Sequence, residues 1–300
     1  MFSSSNCVNL IGVFGREVGR MEVKKFVTGE EIPVLGLGTW RMGGSLHPDY
    51  SQDSQVVELL QTAIRLGYTH IDTAEVYADG HTEELVGRAA RSFRRESLFI
   101  TTKIWHTNLG FSAVHRSVDG SLKRLSSDYV DLCLIHNPDP ATSLADTFDA
   151  LNELVARGKI RNIGVSNFNL QQMQKAQALS SSPIVTNQVP YNLYNHAYLK
   201  NGVLKHCQEH GALLTAYSPF DRGIVLSDPV VGRLAAIYGK TPAQVALAWL
   251  VRQPGVITIP MSGDASHLKS NLEALDIQFS GQDIEILDNL EMPEEALWPE

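Results

Sequence analysis

Hydrophobic and polar positions alternate in blocks along the chain from residue 22 onward. Short apolar or β-branched runs are separated by longer amphipathic stretches, which is the pattern of repeated strand–helix units around a parallel sheet. Eight runs are predicted as strands, the number that closes a barrel. They lie at 34–39, 69–72, 98–103, 130–135, 160–166, 184–188, 212–217 and 256–259. The pattern predicts an α/β fold, a (β/α)8 TIM barrel, as a single domain over residues 21–300.

The amphipathic stretches carry helix-boundary signals. One helix is predicted behind an N-cap at Thr142 or Ser143, because apolar residues then recur on one face and Gly158 follows the last of them. Another is predicted behind Thr241, where the next residue is proline and Gln244 completes a capping box. These helices fit the spaces between the predicted strands.

Additional segments flank the eight repeats. Residues 23–33 alternate around a turn at 28–30 and predict a small hairpin that closes the bottom of the barrel. Helices near 266–275 and 281–290 are expected to pack outside it. Residues 1–20 lack the charged leader of a secretory signal, so they are expected to form a disordered extension.

Composition and charge narrow the possible partners and compartment. The net charge is −8 and no Lys/Arg-rich run occurs, which argues against a nucleic-acid partner. The odd number of widely spaced cysteines, Cys7, Cys133 and Cys207, indicates neither a disulfide framework nor a zinc site and fits a reducing compartment. No apolar run approaches the roughly 20 residues that span a bilayer. We therefore expect a cytoplasmic protein without a membrane partner.

Reactive side chains follow three consecutive predicted strands. Asp72 ends the second strand, Lys103 ends the third, His136 follows the fourth, and Tyr77 lies in the loop after Asp72. The carboxyl ends of barrel strands meet on one face, so these four side chains are expected to converge. Taken singly, each has a structural alternative: Asp72 as an N-cap, Lys103 as a solvated charge, His136 as a loop histidine and Tyr77 as packing.

The convergence of these groups favours acid–base chemistry over the separate structural roles. A buried lysine beside a tyrosine favours the phenolate and lowers a pKa that starts near 10, and a paired aspartate keeps that lysine charged. Together they would make Tyr77 a tunable general acid. A metal-dependent hydrolase is disfavoured, because it would need several His and Asp residues at strand ends, and His70 lies inside its strand.

Four motifs resemble those of the aldo-keto reductase family, in the family's order and spacing. They are GYTHIDTAEVYADGHTEELVGRAAR at 67–91, TTKIW at 101–105, LCLIHNP at 132–138 and IRNIGVSNF at 160–168. The resemblance implies a catalytic tetrad of Asp72, Tyr77, Lys103 and His136, which reduces a carbonyl with a hydride from a nicotinamide cofactor. Histidine at position 136 implies reduction of aldehydes or ketones, where a glutamate would suggest carbon–carbon double bonds.

The resemblance also assigns residues to the cofactor and the substrate. The implied cofactor-binding residues are Thr39, Asp72, Ser166, Asn167, Gln188, Tyr217, Ser218, Ser262 and Asn271. Trp40, Trp105 and His136 are implied to line the substrate pocket. Structural alternatives remain open for Tyr217 as core packing, Asn167 as a turn former and Trp105 as rim packing.

The segment 259–271, IPMSGDASHLKSN, departs from the family pattern. Members that prefer NADPH usually place Lys or Arg where this chain has Met261, Gly263, Asp264 and His267. Cations bind a 2′-phosphate by charge-assisted hydrogen bonds, and Asp264 would repel it. Lys269, or Ser262 with the amides that open the following helix, offers another anion site. The cofactor is therefore expected to be NADP(H) or NAD(H), with dual use or a shift toward NADH as the hypothesis.

Short loops make this chain similar to a prokaryotic-type member of the family. Only residues 137–141 separate the fourth strand from its helix, and the tail after Leu290 is short. A small-molecule carbonyl substrate, no metal, and a monomer or weak dimer are expected. The alternative function is a cofactor-binding regulatory subunit on the same barrel with little turnover, which an intact tetrad does not exclude.

Overall fold

The computed structural model describes residues 21–292. The extension predicted at 1–20 lies outside this range, as do residues 293–300. The described strands are β1 Val23–Lys25, β2 Glu31–Pro33, β3 Leu37–Gly38, β4 His70–Asp72, β5 Phe99–Ile104, β6 Val130–Ile135, β7 Ile160–Ser166, β8 Ile184–Pro190, β9 Leu213–Tyr217 and β10 Val256–Thr258. The described helices are α1 Asp53–Leu66, α2 His81–Ala90, α3 Phe111–Leu125, α4 Leu144–Ala156, α5 Leu170–Leu179, α6 Ala197–Lys200, α7 Val203–Glu209, α8 Pro229–Tyr238, α9 Pro242–Arg252, α10 Ala265–Leu272 and α11 Gly281–Asp288.

Strands β3 to β10 form one parallel sheet in which every strand pairs with its neighbour in sequence. The first and last strands are also joined. The amide of Thr258 donates to the carbonyl of Val34 at 2.9 Å, and the amide of Gly36 donates to the carbonyl of Thr258 at 2.8 Å. The sheet is therefore closed, and the predicted (β/α)8 TIM barrel is confirmed.

The helix-boundary predictions are confirmed at both places. Ser143, rather than Thr142, caps α4 by accepting a hydrogen bond from the amide of Asp146. Thr241 and Gln244 form the reciprocal capping box of α9, with Pro242 as its first helical residue. Each cap satisfies amides that the first helical turn leaves without a partner.

The predicted hairpin is formed by β1 and β2, which pair antiparallel. The ring of Phe26 in its turn packs against Phe99, the first residue of β5, with ring centroids 5.9 Å apart. Ile32 is fully buried. The hairpin thus covers the amino-terminal ends of the strands and leaves the opposite rim for the side chains described below.

Several predicted boundaries were wrong by a few residues. The run 34–39 contributes only Leu37–Gly38 as a strand, because residues 34–36 bond across the closure to β10. Glycine at position 36 permits that close approach, since a Cβ there would lie 2.4 Å from Nδ1 of His70. The predicted helix at 266–275 ends at Leu272, and a short 3₁₀ turn follows. The helix predicted at 281–290 ends at Asp288.

The central strands of the barrel are buried on both faces. All six residues of β5 and all six of β6 are buried, and this set includes Lys103. Parallel strands covered by helices on one side and by the barrel interior on the other are expected to show this continuous burial. Within residues 21–292, no helix is long and apolar enough to cross a membrane.

Candidate active site

The four predicted catalytic residues lie together at the carboxyl-terminal rim. Asp72 is the last residue of β4, and Tyr77 begins a short 3₁₀ turn in the loop that follows. His136 comes directly after β6, and its amide donates to the carbonyl of Ile104 at 3.0 Å. The prediction that Lys103 ends its strand was off by one residue, because Ile104 continues the pairing with β6.

Lys103 is the centre of this group. Its fully buried ammonium forms an ion pair with Oδ1 of Asp72. It also donates to the carbonyl of Thr73 at 2.8 Å and to Oη of Tyr77 at 3.3 Å. The three donors of the ammonium are therefore all used. Nε2 of Gln188 donates to the other carboxylate oxygen of Asp72 at 2.7 Å, so that the aspartate is held from both sides.

The contact between Lys103 and Tyr77 sets the direction of the tyrosine proton. Because the ammonium donates to the phenol oxygen, that oxygen acts as an acceptor toward the lysine. Among residues 21–292, the Tyr77 hydroxyl donates no hydrogen bond of its own. Its own proton is therefore available to a group outside the protein.

Burial and charge determine the protonation states of the site. Burial lowers the pKa of Lys103, but the charges and hydrogen bonds of Asp72 and Tyr77 outweigh it and leave that pKa raised. Burial raises the pKa of Tyr77 and outweighs the opposite effect of Lys103. The net pKa of Tyr77 is thus raised, whereas the sequence led us to expect a lowered one. At neutral pH the lysine is charged and the phenol keeps its proton.

His136 is neutral in this environment. Burial, together with the charges of Lys103 and His106, lowers the pKa of His136 to about 3. Its Nδ1 is buried and has no hydrogen-bond partner among the described residues. A neutral imidazole still has one N–H, with which it can donate a hydrogen bond to a carbonyl.

The residues predicted to line the substrate pocket form an aromatic row around Tyr77. The ring of Trp40 packs edge-on to Tyr77 at 4.9 Å between centroids, and Tyr77 packs edge-on to His136 at 5.9 Å. Trp105 packs edge-on to the other side of His136 at 5.1 Å. The three predicted pocket residues are thus brought together beside the phenol.

A second group of predicted residues lies on the adjacent strands β7, β8 and β9. Ser166 donates to the carbonyl of Gln188 at 2.8 Å, and the Tyr217 hydroxyl donates to Oδ1 of Asn167 at 2.9 Å. Nδ2 of Asn167 donates to the carbonyl of His136 at 3.1 Å, which connects this group to the tetrad. Asn167 has a φ of 62°, in the left-handed region that asparagine tolerates better than most residues.

The donor set of this group suits a nicotinamide. The amides of Asn167 and Gln188 and the hydroxyl of Ser166 can donate to and accept from a carboxamide. Tyr217 is partly exposed and offers a flat ring for stacking. Thr39 follows β3, and Ser218 follows β9. The Thr39 hydroxyl donates to the carbonyl of Asp72 at 2.9 Å, and the carbonyl of Ser218 accepts from Asn192 at 3.0 Å.

The remaining predicted cofactor residues, Ser262 and Asn271, lie near and within α10. Asp264 caps this helix: the amides of Ser266 and His267 both donate to its Oδ1, at 2.6 and 3.4 Å. The hydrogen bonds from Ser266 and His267 hold the pKa of Asp264 below its usual value. The amides predicted as an anion site are thus engaged by a carboxylate of the chain itself.

One residue that the sequence did not single out contributes to the same rim. Oε1 of Glu75 accepts from the amide of Trp105 at 2.7 Å and from Nδ2 of Asn108 at 3.0 Å. The sequence offered one signal for Glu75: it is an acidic residue two positions before Tyr77, in the loop that follows a barrel strand. Its partners are some thirty residues away and could not be predicted from spacing.

Known proteins resemble this chain over most of its length. The family model of the aldo/keto reductase family matches residues 34–292. A methylglyoxal reductase of Escherichia coli is 36% identical over 263 residues, covering 86% of this chain and 90% of the relative. These matches extend well beyond the four motifs.

Solved structures agree with these sequence matches. A thermostable aldo-keto reductase, crystallised with the inhibitor epalrestat, is 48% identical with a TM-score of 0.88, covering 89% of this chain and 99% of that one. An aldo/keto reductase from Klebsiella pneumoniae, crystallised with NADP and acetate, is 36% identical with a TM-score of 0.82, covering 92% and 97%. The regulatory-subunit alternative finds no support in these similarities. The chain belongs to the aldo/keto reductase family and is an NAD(P)-dependent oxidoreductase that reduces carbonyl groups.

Proposed function

We propose that Tyr77 is the general acid in the reduction of small aldehydes and ketones, 2-oxoaldehydes among them, and that Lys103, Asp72 and His136 support it. The observation that carries this proposal is the hydrogen bond from the Lys103 ammonium to the Tyr77 hydroxyl oxygen, 3.3 Å long. A phenol held in this way keeps its proton until charge develops on an acceptor in the pocket.

The proposed mechanism follows from the protonation states. A bound nicotinamide cofactor supplies the hydride. As negative charge develops on the carbonyl oxygen, Tyr77 transfers its proton to it, and the charge of Lys103 stabilises the phenolate that remains. Asp72 and Gln188 hold the ammonium in place, while the neutral imidazole of His136 orients the carbonyl by a hydrogen bond.

The aromatic side chains beside the Tyr77 phenol support a small substrate. Trp40 and His136 pack directly against Tyr77, and Trp105 packs against His136. The Escherichia coli relative that is 36% identical is named a methylglyoxal reductase. We extend that substrate class, a 2-oxoaldehyde, to this chain.

The charge at α10 supports dual cofactor use or a preference for NADH. The Asp264 carboxylate occupies the first amides of α10, and Met261, Gly263 and His267 replace the cations typical of NADPH-preferring members. A 2′-phosphate near this carboxylate would meet repulsion rather than a charge-assisted hydrogen bond. NADH lacks that phosphate and avoids the repulsion.

One kinetic comparison tests both the proposed substrate class and the proposed cofactor use. We expect kcat/KM for methylglyoxal to exceed that for a bulky aromatic ketone by about tenfold or more, and the efficiencies with NADH and NADPH to lie within about tenfold of each other. Asp264→Arg should raise the NADPH efficiency about tenfold, since a hydrogen bond to a charged group contributes about 1.5–3 kcal/mol. Asp149→Arg, which changes an exposed position on α4, controls for net charge. A hundredfold preference of the unmodified protein for NADPH, by the same ratio, would refute the cofactor proposal.

The compartment, domain organisation and oligomeric state of the enzyme belong to the same proposal. We place it in the cytoplasm, as a single barrel domain over residues 21–300 that is a monomer or weak dimer. Cys133 and Cys207 are both buried with free thiols, which suits a reducing compartment.

A further inference from the structure

Glu75 connects the loop that carries the proton donor to the loop that carries the pocket tryptophan. It lies two residues before Tyr77, after β4, and its amide donates to the carbonyl of Lys103 at 3.3 Å. Its side chain reaches the loop after β5. There a single oxygen, Oε1, accepts from the amide of Trp105 and from Nδ2 of Asn108.

The two donors stand at the two ends of one tight turn. Trp105 precedes a 3₁₀ turn at His106–Asn108, and the amide of Asn108 donates back to the carbonyl of Trp105 at 2.9 Å. The Glu75 carboxylate therefore closes this turn from outside. An open depression of about 210 Å³ lies beside the turn, lined by Glu75, Asp79, Asn108 and Arg124 among others.

Trp105 in turn packs against the imidazole of His136. The two rings are edge-on with centroids 5.1 Å apart. Nδ1 of His136 has no hydrogen-bond partner among residues 21–292, so ring packing by Trp105 and Tyr77 takes the place of a polar anchor. Movement of the Trp105 turn would move the imidazole that faces the carbonyl.

We propose that Glu75 is a positioning residue for carbonyl reduction: its carboxylate fixes the Trp105 turn, and the Trp105 ring fixes His136. This inference rests on the proposed roles of Tyr77 and His136. It assigns Glu75 no contact with the reacting atoms, because its oxygen is occupied by two donors of the protein. Its effect is on the orientation of the substrate and not on the proton that Tyr77 delivers.

The test compares Glu75→Ala with Glu75→Gln, because the amide oxygen of glutamine can accept both hydrogen bonds and alanine can accept neither. We expect Glu75→Ala to lower kcat/KM for methylglyoxal about tenfold or more, mainly through a higher KM. Glu75→Gln should remain within about threefold of the unmodified enzyme, and Glu58→Ala, at an exposed position on α1, should change nothing.

Three readouts separate positioning from a general structural defect. The dissociation constant of NADPH and the alkaline limb of the pH profile should be unchanged in Glu75→Ala, because Lys103 and Tyr77 keep their contacts. In a Trp105→Ala background, Glu75→Ala should have little further effect, as expected when two residues act in one chain of contacts. If Glu75→Ala fails to fold, Asn108→Ala, which removes one of the two donors, should show a smaller loss of the same kind.

Other results would overturn the proposal. It fails if Glu75→Ala, or Asn108→Ala where that variant replaces it, keeps kcat/KM within about twofold of the unmodified enzyme. It fails equally if the loss persists in the Trp105→Ala background or is matched by weaker NADPH binding. An active Tyr77→Phe variant would instead refute the proposed general acid, and that result is independent of what Glu75 substitutions do.

Discussion

At the scale of single residues, the site is organised by the three hydrogen atoms of one ammonium. Lys103 directs them to Asp72, to the carbonyl of Thr73 and to the oxygen of Tyr77. Few arrangements satisfy a fully buried lysine, since each unsatisfied donor would cost about 1–3 kcal/mol. The same arrangement makes the Tyr77 oxygen an acceptor and leaves its proton for the substrate.

The protonation states at this scale predict the pH dependence of reduction. Tyr77 must be protonated to donate, and burial raises its pKa, so activity should be lost only as pH rises above the ordinary tyrosine value of about 10. His136 has a pKa lowered to about 3, so it should add no titration between pH 5 and 8. The measurement is kcat/KM for reduction against pH under saturating cofactor. A bell-shaped profile with a limb near pH 6.5 would contradict the neutral imidazole.

At the scale of elements, the amino-terminal ends of β5, β6 and β7 are joined by one buried carboxylate. Asp131 accepts from Arg95 at 2.6 Å, from the amide of Ile100 at 2.9 Å and from Arg161 at 3.2 Å. The two guanidinium groups also lie over the ring of Tyr129, each 4.0 Å from its centroid. This cluster is on the face opposite the reactive rim.

Asp131→Ala should therefore reduce stability without affecting catalysis. Removing one partner of a buried charged pair costs about 3 kcal/mol or more, because its partners are left uncompensated. Asp119→Ala removes an aspartate paired with Lys159 at 2.5 Å on the surface, and it should cost less than about 1 kcal/mol. Chemical unfolding measures both values, and kcat/KM at low temperature should match the unmodified enzyme in each variant. Equal costs for the two substitutions would contradict this assignment.

The existence of the strands and helices could be predicted from the sequence, whereas the residues at which they begin and end were predicted less accurately. Runs such as 130–135 and 160–166 match β6 and β7, because parallel strands covered on both faces are rich in apolar residues. The run 34–39 was predicted as one strand, although its first half bonds across the barrel closure. That pairing joins residues more than 200 positions apart, so no local pattern reports it.

At the scale of the whole molecule, the barrel brings side chains from seven strand ends to one rim. The topology made the tetrad predictable, since consecutive parallel strands place their carboxyl ends side by side. What could not be predicted are contacts between loops. The hydrogen bonds from the Trp105 turn to Glu75, and from the α10 amides to Asp264, depend on backbone paths that periodicity does not specify.

Global stability should depend on pH through the barrel interior. His70 is 1% exposed, and burial, with a smaller effect of Lys103, lowers its pKa to about 3. The unfolded chain binds a proton below about pH 6.5 while the folded chain does not, so stability is lost as pH falls from there toward 3. Each pH unit should remove about 1.4 kcal/mol through this residue.

Urea unfolding between pH 7 and 4 measures that slope. His70→Gln should make it shallower by about 1.4 kcal/mol per pH unit, whatever its effect on stability at pH 7. His47→Gln, at an exposed position, provides the matched control and should leave the slope as it is. An unchanged slope in His70→Gln would show that this histidine titrates alike in the folded and unfolded chains.

The central claim is that Tyr77 delivers the proton from within an intact, cofactor-binding barrel. Its most direct test is single-turnover reduction of methylglyoxal by Tyr77→Phe, with the dissociation constant of the cofactor measured on the same protein. A positioned general acid contributes about 10²- to 10⁴-fold, so the rate should fall by at least a hundredfold while the dissociation constant stays within about twofold. A rate within about tenfold of the unmodified enzyme would contradict the account.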